Sequence, residues 1–198
     1  LALEEKTKMS LSARRFSVLA ATLLFVVGVS TALAAEKKFV DSDDAHEKDE
    51  PQKYLPDYDK LVKGKDADWV YFPDGALAKY KTVSVEEFDH TGHGTECRDA
   101  ARDGKDYMEQ WLEKEGFKIV KSGGDMQVAG NVFSAWEPSG AARYWGGWGA
   151  NPGVGLELLI KANGKIVGEV RHKARGSTLR DAVENGLEDC AKSIEKGK

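Results

Sequence analysis

The chain has 198 residues, with 29 basic and 33 acidic side chains, a formal net charge of −4 and 41% hydrophobic content. That length fits one domain or two small ones, and the apolar fraction excludes wholesale disorder. The near-neutral balance argues against a nucleic-acid binder, which carries a basic excess.

The first 34 residues are set apart from the rest. From Met9, the expected start, Arg14 and Arg15 precede an apolar run from Phe16 to Val29 and then Ala32-Leu33-Ala34. A basic region, a short apolar stretch and a small-x-small site make a secretory signal peptide, and the run is shorter than the roughly 20 residues of a transmembrane span. Residues 1–8 read as an over-extended N-terminus. Cleavage after Ala34 leaves 164 residues at a net charge of −6. The mature protein is expected to be periplasmic or secreted and not integral to a membrane.

Residues 35–65 read as a flexible acidic arm. Residues 41–50 hold six acids and one lysine, and Pro51 and Pro56 follow. Such a stretch buries too little apolar surface to offset the entropy of ordering it. The folded domain is expected to span residues 66–198.

Within it, Trp69–Leu77 contains a turn at Pro73-Asp74-Gly75. Tyr80–Phe88 alternates as a strand with Val83, Val85 and Phe88 inward. Residues 90–94 form a glycine-rich turn, and Thr95 is the expected N-cap of a helix. Its apolar stripe is Cys97, Ala100, Ala101, Gly104, Tyr107, Met108, Trp111 and Leu112, and Gly116 stops it. Phe117–Val120 and Met126–Trp136 are strands. Val154–Lys161 and Lys165–His172 form a hairpin around Asn163-Gly164, the strongest short-range hairpin signal. Ser177 or Thr178 caps a second helix with Leu179, Ala182, Val183, Leu187, Cys190, Ala191 and Ile194 inward.

The order predicts an α+β fold in two layers. A four- to five-stranded, mostly antiparallel sheet carries both helices on one face, and its other face is open to solvent or a partner. In an oxidising compartment Cys97 and Cys190 are a disulfide candidate, which would make the helices antiparallel neighbours. Closing so long a loop contributes on the order of 4 kcal/mol in the chain-entropy account. A free, buried pair is the alternative.

Three places carry candidate chemistry. His90, His93 and Cys97 lie within eight residues and offer two imidazoles and a thiol to zinc or copper, although no fourth ligand has a recognisable spacing. Glu86, Glu87 and Asp89 sit close in sequence, as do Asp181 and Glu184, but solvated faces account for them. Residues 139–155 hold six glycines and three large aromatics. Here Arg143, Tyr144, Trp145, Trp148 and Asn151 are the candidate binding surface, because exposed aromatics favour recognition. The alternative is a loop that folds back on the bare sheet face. No residue is assigned a catalytic role, no cofactor is implied, and the chain is read as non-enzymatic.

The runs DWVYFPDGALAKYKTVSVEEF, CRDAARDG, AWEPSGAARYWGGWGANPGVGLEL and STLRDAVENGLEDCA resemble a secreted bacterial family known as domain of unknown function 4410, over about residues 66–195. The resemblance implies a small α+β domain similar to periplasmic domains of the curli-secretion channel subunit and of peptidoglycan-synthase activator lipoproteins. It implies action through contacts with an envelope protein or outer-membrane component. The chain lacks the lipobox cysteine and the long membrane-spanning hairpins of those relatives.

Overall fold

The computed structural model describes residues 54–75, 77–138 and 151–197. Eight strands form one sheet: β1 (Val62–Lys63), β2 (Trp69–Tyr71), β3 (Thr82–Val85), β4 (Asp89–His90), β5 (Lys118–Ile119), β6 (Met126–Trp136), β7 (Gly153–Ala162) and β8 (Lys165–Arg175). Their order is β1-β2-β8-β7-β6-β3-β5, with β4 also paired to β6. The described residues also form two α-helices, α1 (Thr95–Lys114) and α2 (Leu179–Lys196), and two short 3-10 turns at Tyr58–Lys60 and Leu77–Lys79.

The α+β class with two helices matches the sequence reading, but the sheet is larger than the four to five strands expected. The extra strands β1, β2 and β4 have two or three residues each. Pieces that short show no period-2 pattern, and only their pairing defines them. The sheet is also mixed. β3 pairs in parallel with β5 and β6, and β4 with β6, whereas β6, β7, β8, β2 and β1 pair antiparallel.

The β7–β8 hairpin turns at Asn163 (φ 50°) and Gly164 (φ 74°), the left-handed pair that a two-residue turn requires. Alternation then divides the long strands. Val154, Leu156, Leu158 and Ile160 face the helices together with Val170, and all are nearly or fully buried. Glu157, Glu169 and Arg171 face the opposite way.

Helix α1 begins at the residue expected to cap it. Gly94 (φ 103°) is the N-cap and makes no side-chain cap bond, and Thr95 is already helical. Its stripe buries Cys97, Ala100, Ala101, Gly104, Met108 and Leu112. Thr178 caps α2 by accepting from the Asp181 amide, as expected.

The two helices run in the same direction. α1 starts beside the far end of β6, where the Gly92 amide donates to the Val132 carbonyl, and it ends where the Lys118 amide meets Lys81 at the start of β3. Along α2, Asn185 donates to the Arg175 carbonyl, Gly186 lies over Ala174 and Asp189 faces His172, so α2 runs back along β8. This corrects the antiparallel arrangement inferred from a Cys97–Cys190 bridge. Cys97 lies in the first turn of α1 and Cys190 in the second half of α2, and both are free, buried thiols in the structure. Burial pushes both thiols up.

The second sheet face is not bare. Residues 54–61, placed in the flexible arm by the sequence, pack on it and bury Leu55, Tyr58 and Leu61. Folded structure therefore begins at least twelve residues before residue 66. Apolar residues at three-residue spacing, Leu55, Tyr58 and Leu61, are the signal that the acidic surroundings obscured.

Candidate functional site

The strand face opposite the helices carries the densest buried polar cluster among the described residues. Glu157 of β7, Glu169 and Arg171 of β8 and Asn131 of β6 are 0%, 0%, 3% and 0% exposed. Strand pairing sets the cluster: Asn131 stands opposite Glu157, and Glu157 opposite Arg171. Arg171 Nη1 donates to Glu157 Oε1 at 2.5 Å, and Asn131 Nδ2 donates to Glu157 Oε2 at 2.9 Å. The guanidinium also stacks 3.6 Å from the centre of the Phe133 ring. The same Asn131 accepts from the Thr91 amide at 2.9 Å, tying in the turn before α1.

The N-terminal segment closes over these groups. Tyr58 Oη donates to Glu157 Oε1, and the Asp57 amide donates to both oxygens of Glu169, at 3.1 and 3.2 Å. Burial raises the Glu169 carboxyl to about 7, which the Asp57 amide only partly opposes and the nearby Asp57 charge reinforces. Burial also pushes the Tyr54 hydroxyl up to about 12, helped by Asp89, Glu86 and Glu157. Sequence reading missed this cluster. Its residues alternate with core positions, so Glu157, Glu169 and Arg171 read as the solvated side of a hairpin. The available signal is that β7 and β8 keep apolar residues on both sides of these charges.

A second polar group joins β8 to α2. His172 Nδ1 lies 3.0 Å from Asp68 Oδ2, which also accepts from the Lys173 amide at 2.8 Å. Nε2 lies 3.5 Å from Asp189 Oδ2. Burial disfavours the imidazolium, but the Asp189 and Asp68 carboxylates beside the ring outweigh it and raise His172 to about 9. Beside it is an open cleft of about 410 Å³ lined by His172, Arg175, Asn185, Glu188 and Lys192 among others. Lys192 is already paired with Glu188 at 2.6 Å.

The sign of the His172 effect is set by its two states. The folded value of about 9 lies above the ordinary 6.5, so the stabilisation is complete below pH 6.5 and fades as pH rises through 9. We expect the chemical-denaturation midpoint to fall between pH 6 and pH 9.5 in the wild type. In His172→Gln this part of the pH dependence is expected to disappear, with a loss on the order of 2 kcal/mol at pH 6.

The sequence-predicted candidates fare differently. Arg143, Tyr144, Trp145 and Trp148 lie outside the described residues, while Asn151 is half-buried just before β7. His90 is exposed on β4, and His93 is exposed in the turn before α1. Among the described residues no group of three or more His, Cys, Asp or Glu could hold a metal ion, so nothing supports the metal-binding alternative at His90 and His93. Glu87 pairs with Lys105 at 2.6 Å, and Asp181 accepts from Ser177 at the head of α2. Glu87 and Asp181 thus serve local structure, whereas Glu86 and Asp89 both act on the Tyr54 hydroxyl. No helix among the described residues is long and apolar enough to cross a membrane.

No protein-family model and no curated protein matches the sequence. Among solved structures, the chain is similar to the PelC dodecamer from Paraburkholderia phytofirmans at 17% identity and a TM-score of 0.50, covering 65% of this chain and 98% of that one. A single-residue variant of the same dodecamer gives 14% identity and a TM-score of 0.50, covering 65% and 96%. A DUF4136 family protein from Bacteroides thetaiotaomicron matches at 10% identity and a TM-score of 0.36, covering 70% and 99%. At these identities the likeness is one of fold: the chain carries the α+β fold of the PelC subunit almost in full.

Proposed function

We propose that this chain is an exported, non-enzymatic envelope protein that acts by contact with a protein or outer-membrane component. The observation that carries the reading is the fold. It spans 98% of a PelC chain that assembles as a dodecamer, so this scaffold supports contact-based work. The leader-like residues 9–34 support export. The buried charges of the strand face support the same reading, because Glu157 is bonded to Arg171, Asn131 and Tyr58, a network that holds the fold together.

The contact surface in this reading is the segment between β6 and β7, with Arg143, Tyr144, Trp145, Trp148 and Asn151. It leaves the sheet at the end where Arg175 stacks 5.5 Å from the Trp136 ring centre and Lys173 5.8 Å from that of Phe133. Aromatic side chains beside cations are favoured anchors in protein interfaces. The Trp145→Ala/Trp148→Ala double variant is therefore expected to lose partner capture from envelope extracts at least about tenfold, with an unchanged far-UV spectrum, since anchor aromatics are worth about 2 kcal/mol or more each. Equal capture by wild type and variant would refute this surface.

A further inference from the structure

We propose that residues 54–61 form a proton-controlled strap, held closed over the strand face while the Glu169 carboxyl is protonated and loosened as it ionises. This inference goes beyond the contact reading and does not depend on it.

The geometry supplies the device. The strap is seated by Leu55, Tyr58 and Leu61, all 3% exposed or less, and by two polar fastenings. One is Tyr58 Oη to Glu157 and the other is the Asp57 amide to Glu169. Both fastenings connect positions about a hundred residues apart in the chain, so they form or break with the strap and not with local helix or sheet structure.

Charge count under the strap decides what Glu169 does. The groups facing it are Glu157 and Arg171 from β7 and β8, Tyr71 across the β2–β8 pair, and Asp57, Lys60 and Tyr58 from the strap. Among the described residues, the Arg171 guanidinium is held by Glu157 at 2.5 Å, and Lys60 is held by Asp57 at 2.9 Å. With Glu169 neutral, Glu157 and Arg171 balance. With Glu169 ionised, a fully buried carboxylate has, among the described residues, the Asp57 amide as its donor and faces two further carboxylates, Glu157 and Asp57. A buried charge without a counter-charge of its own is strongly unfavourable. Lifting the strap returns that carboxylate to water.

The sign follows from the two states. Closed, Glu169 titrates at about 7; opened, it titrates at its ordinary 4.5. Closure is therefore unopposed below pH 4.5, weakens as pH rises from 4.5 to 7, and stays weakened above. Between pH 5 and pH 8 the closing equilibrium is expected to fall by at least about tenfold.

Hydrogen exchange of the full chain tests this, with rates corrected for their intrinsic pH dependence. Protection of the amides of residues 54–61 is expected to fall at least about tenfold between pH 5 and pH 8, while β7 amides hold constant. In Glu169→Gln, which keeps the shape and acceptor without the charge, strap protection is expected to be flat across that range. In Tyr58→Phe it is expected to be lower throughout with the wild-type slope, because only the other fastening is lost. Constant strap protection in the wild type, an equal fall in Glu169→Gln, or a parallel fall in β7 would overturn the proposal. Should Glu169→Gln fail to fold, the wild-type Glu169 carboxyl signal decides by NMR. An inflection near 7 matching strap loosening supports the strap, and one near 4.5 refutes it.

Discussion

Replacing Arg171 by methionine is expected to lower folding stability by about 3–5 kcal/mol, the range measured when one partner of a buried ion pair is removed. Arg171 is 3% exposed and Glu157 is fully buried, so the carboxylate left behind keeps only Tyr58 and Asn131 as neutral donors. The methionine also forfeits the stacking on Phe133. The loss comes mainly from the orphaned charge, and this can be separated from lost packing. The Glu157→Gln/Arg171→Met double variant keeps an acceptor for Tyr58 and Asn131 and leaves no charge unpaired. It is expected to recover more than half of the loss in urea denaturation. A double variant as unstable as Arg171→Met alone would show that packing, and not charge, is what Arg171 supplies.

The second large effect is expected at Phe88. Its ring lies between α1 and β6 in a slot made by two glycines. A Cβ on Gly104 would stand 2.5 Å from the ring, and one on Gly130 would overlap it outright. Phe88→Ala should therefore cost about 3–5 kcal/mol, since the slot cannot collapse while both backbones are fixed by their neighbours. Gly130→Ala alone should be destabilising by about 1–3 kcal/mol through overpacking. Combined with Phe88→Ala, the same substitution places a methyl group in the vacated space, so its own cost should vanish. Thermal or urea unfolding of the two single variants and the double checks this coupling. Strictly additive losses would contradict the slot.

These two sites mark how far the sequence reaches. Phe88 was legible as an inward residue, but its partners Gly104 and Gly130 showed only as glycines within a helix stripe and a strand. Close approach is a tertiary property that no local pattern displays. Helix α1, helix α2 and the β7–β8 hairpin were legible because each carries a long period or a specific turn pair. The short strands β1, β2 and β4 were not, because two or three residues define no period.

The candidate site was the least legible part. Glu157, Glu169 and Arg171 sit at the correct parity for a solvated face, and the strap helps make that face an interior. The strap itself follows an acidic run and contains Pro56, so its Leu55, Tyr58 and Leu61 spacing was outweighed by composition. The inferred antiparallel helix pair failed for a related reason. It rested on bridging two cysteines, whereas the parallel β3, β5 and β6 arrangement makes α1 a crossover connection and fixes its direction.

The proposed role in the envelope rests on contact and not on turnover, and photo-cross-linking in the intact native envelope tests it most directly. A cross-linking amino acid is placed at position 145 or 148 in the full-length chain, with position 65 and position 121 on other surfaces as controls. The account predicts one discrete adduct, to a single envelope component or a second copy of this chain, from 145 and 148 and not from the controls. No adduct at 145 and 148, or the same adducts from all four positions, would contradict it.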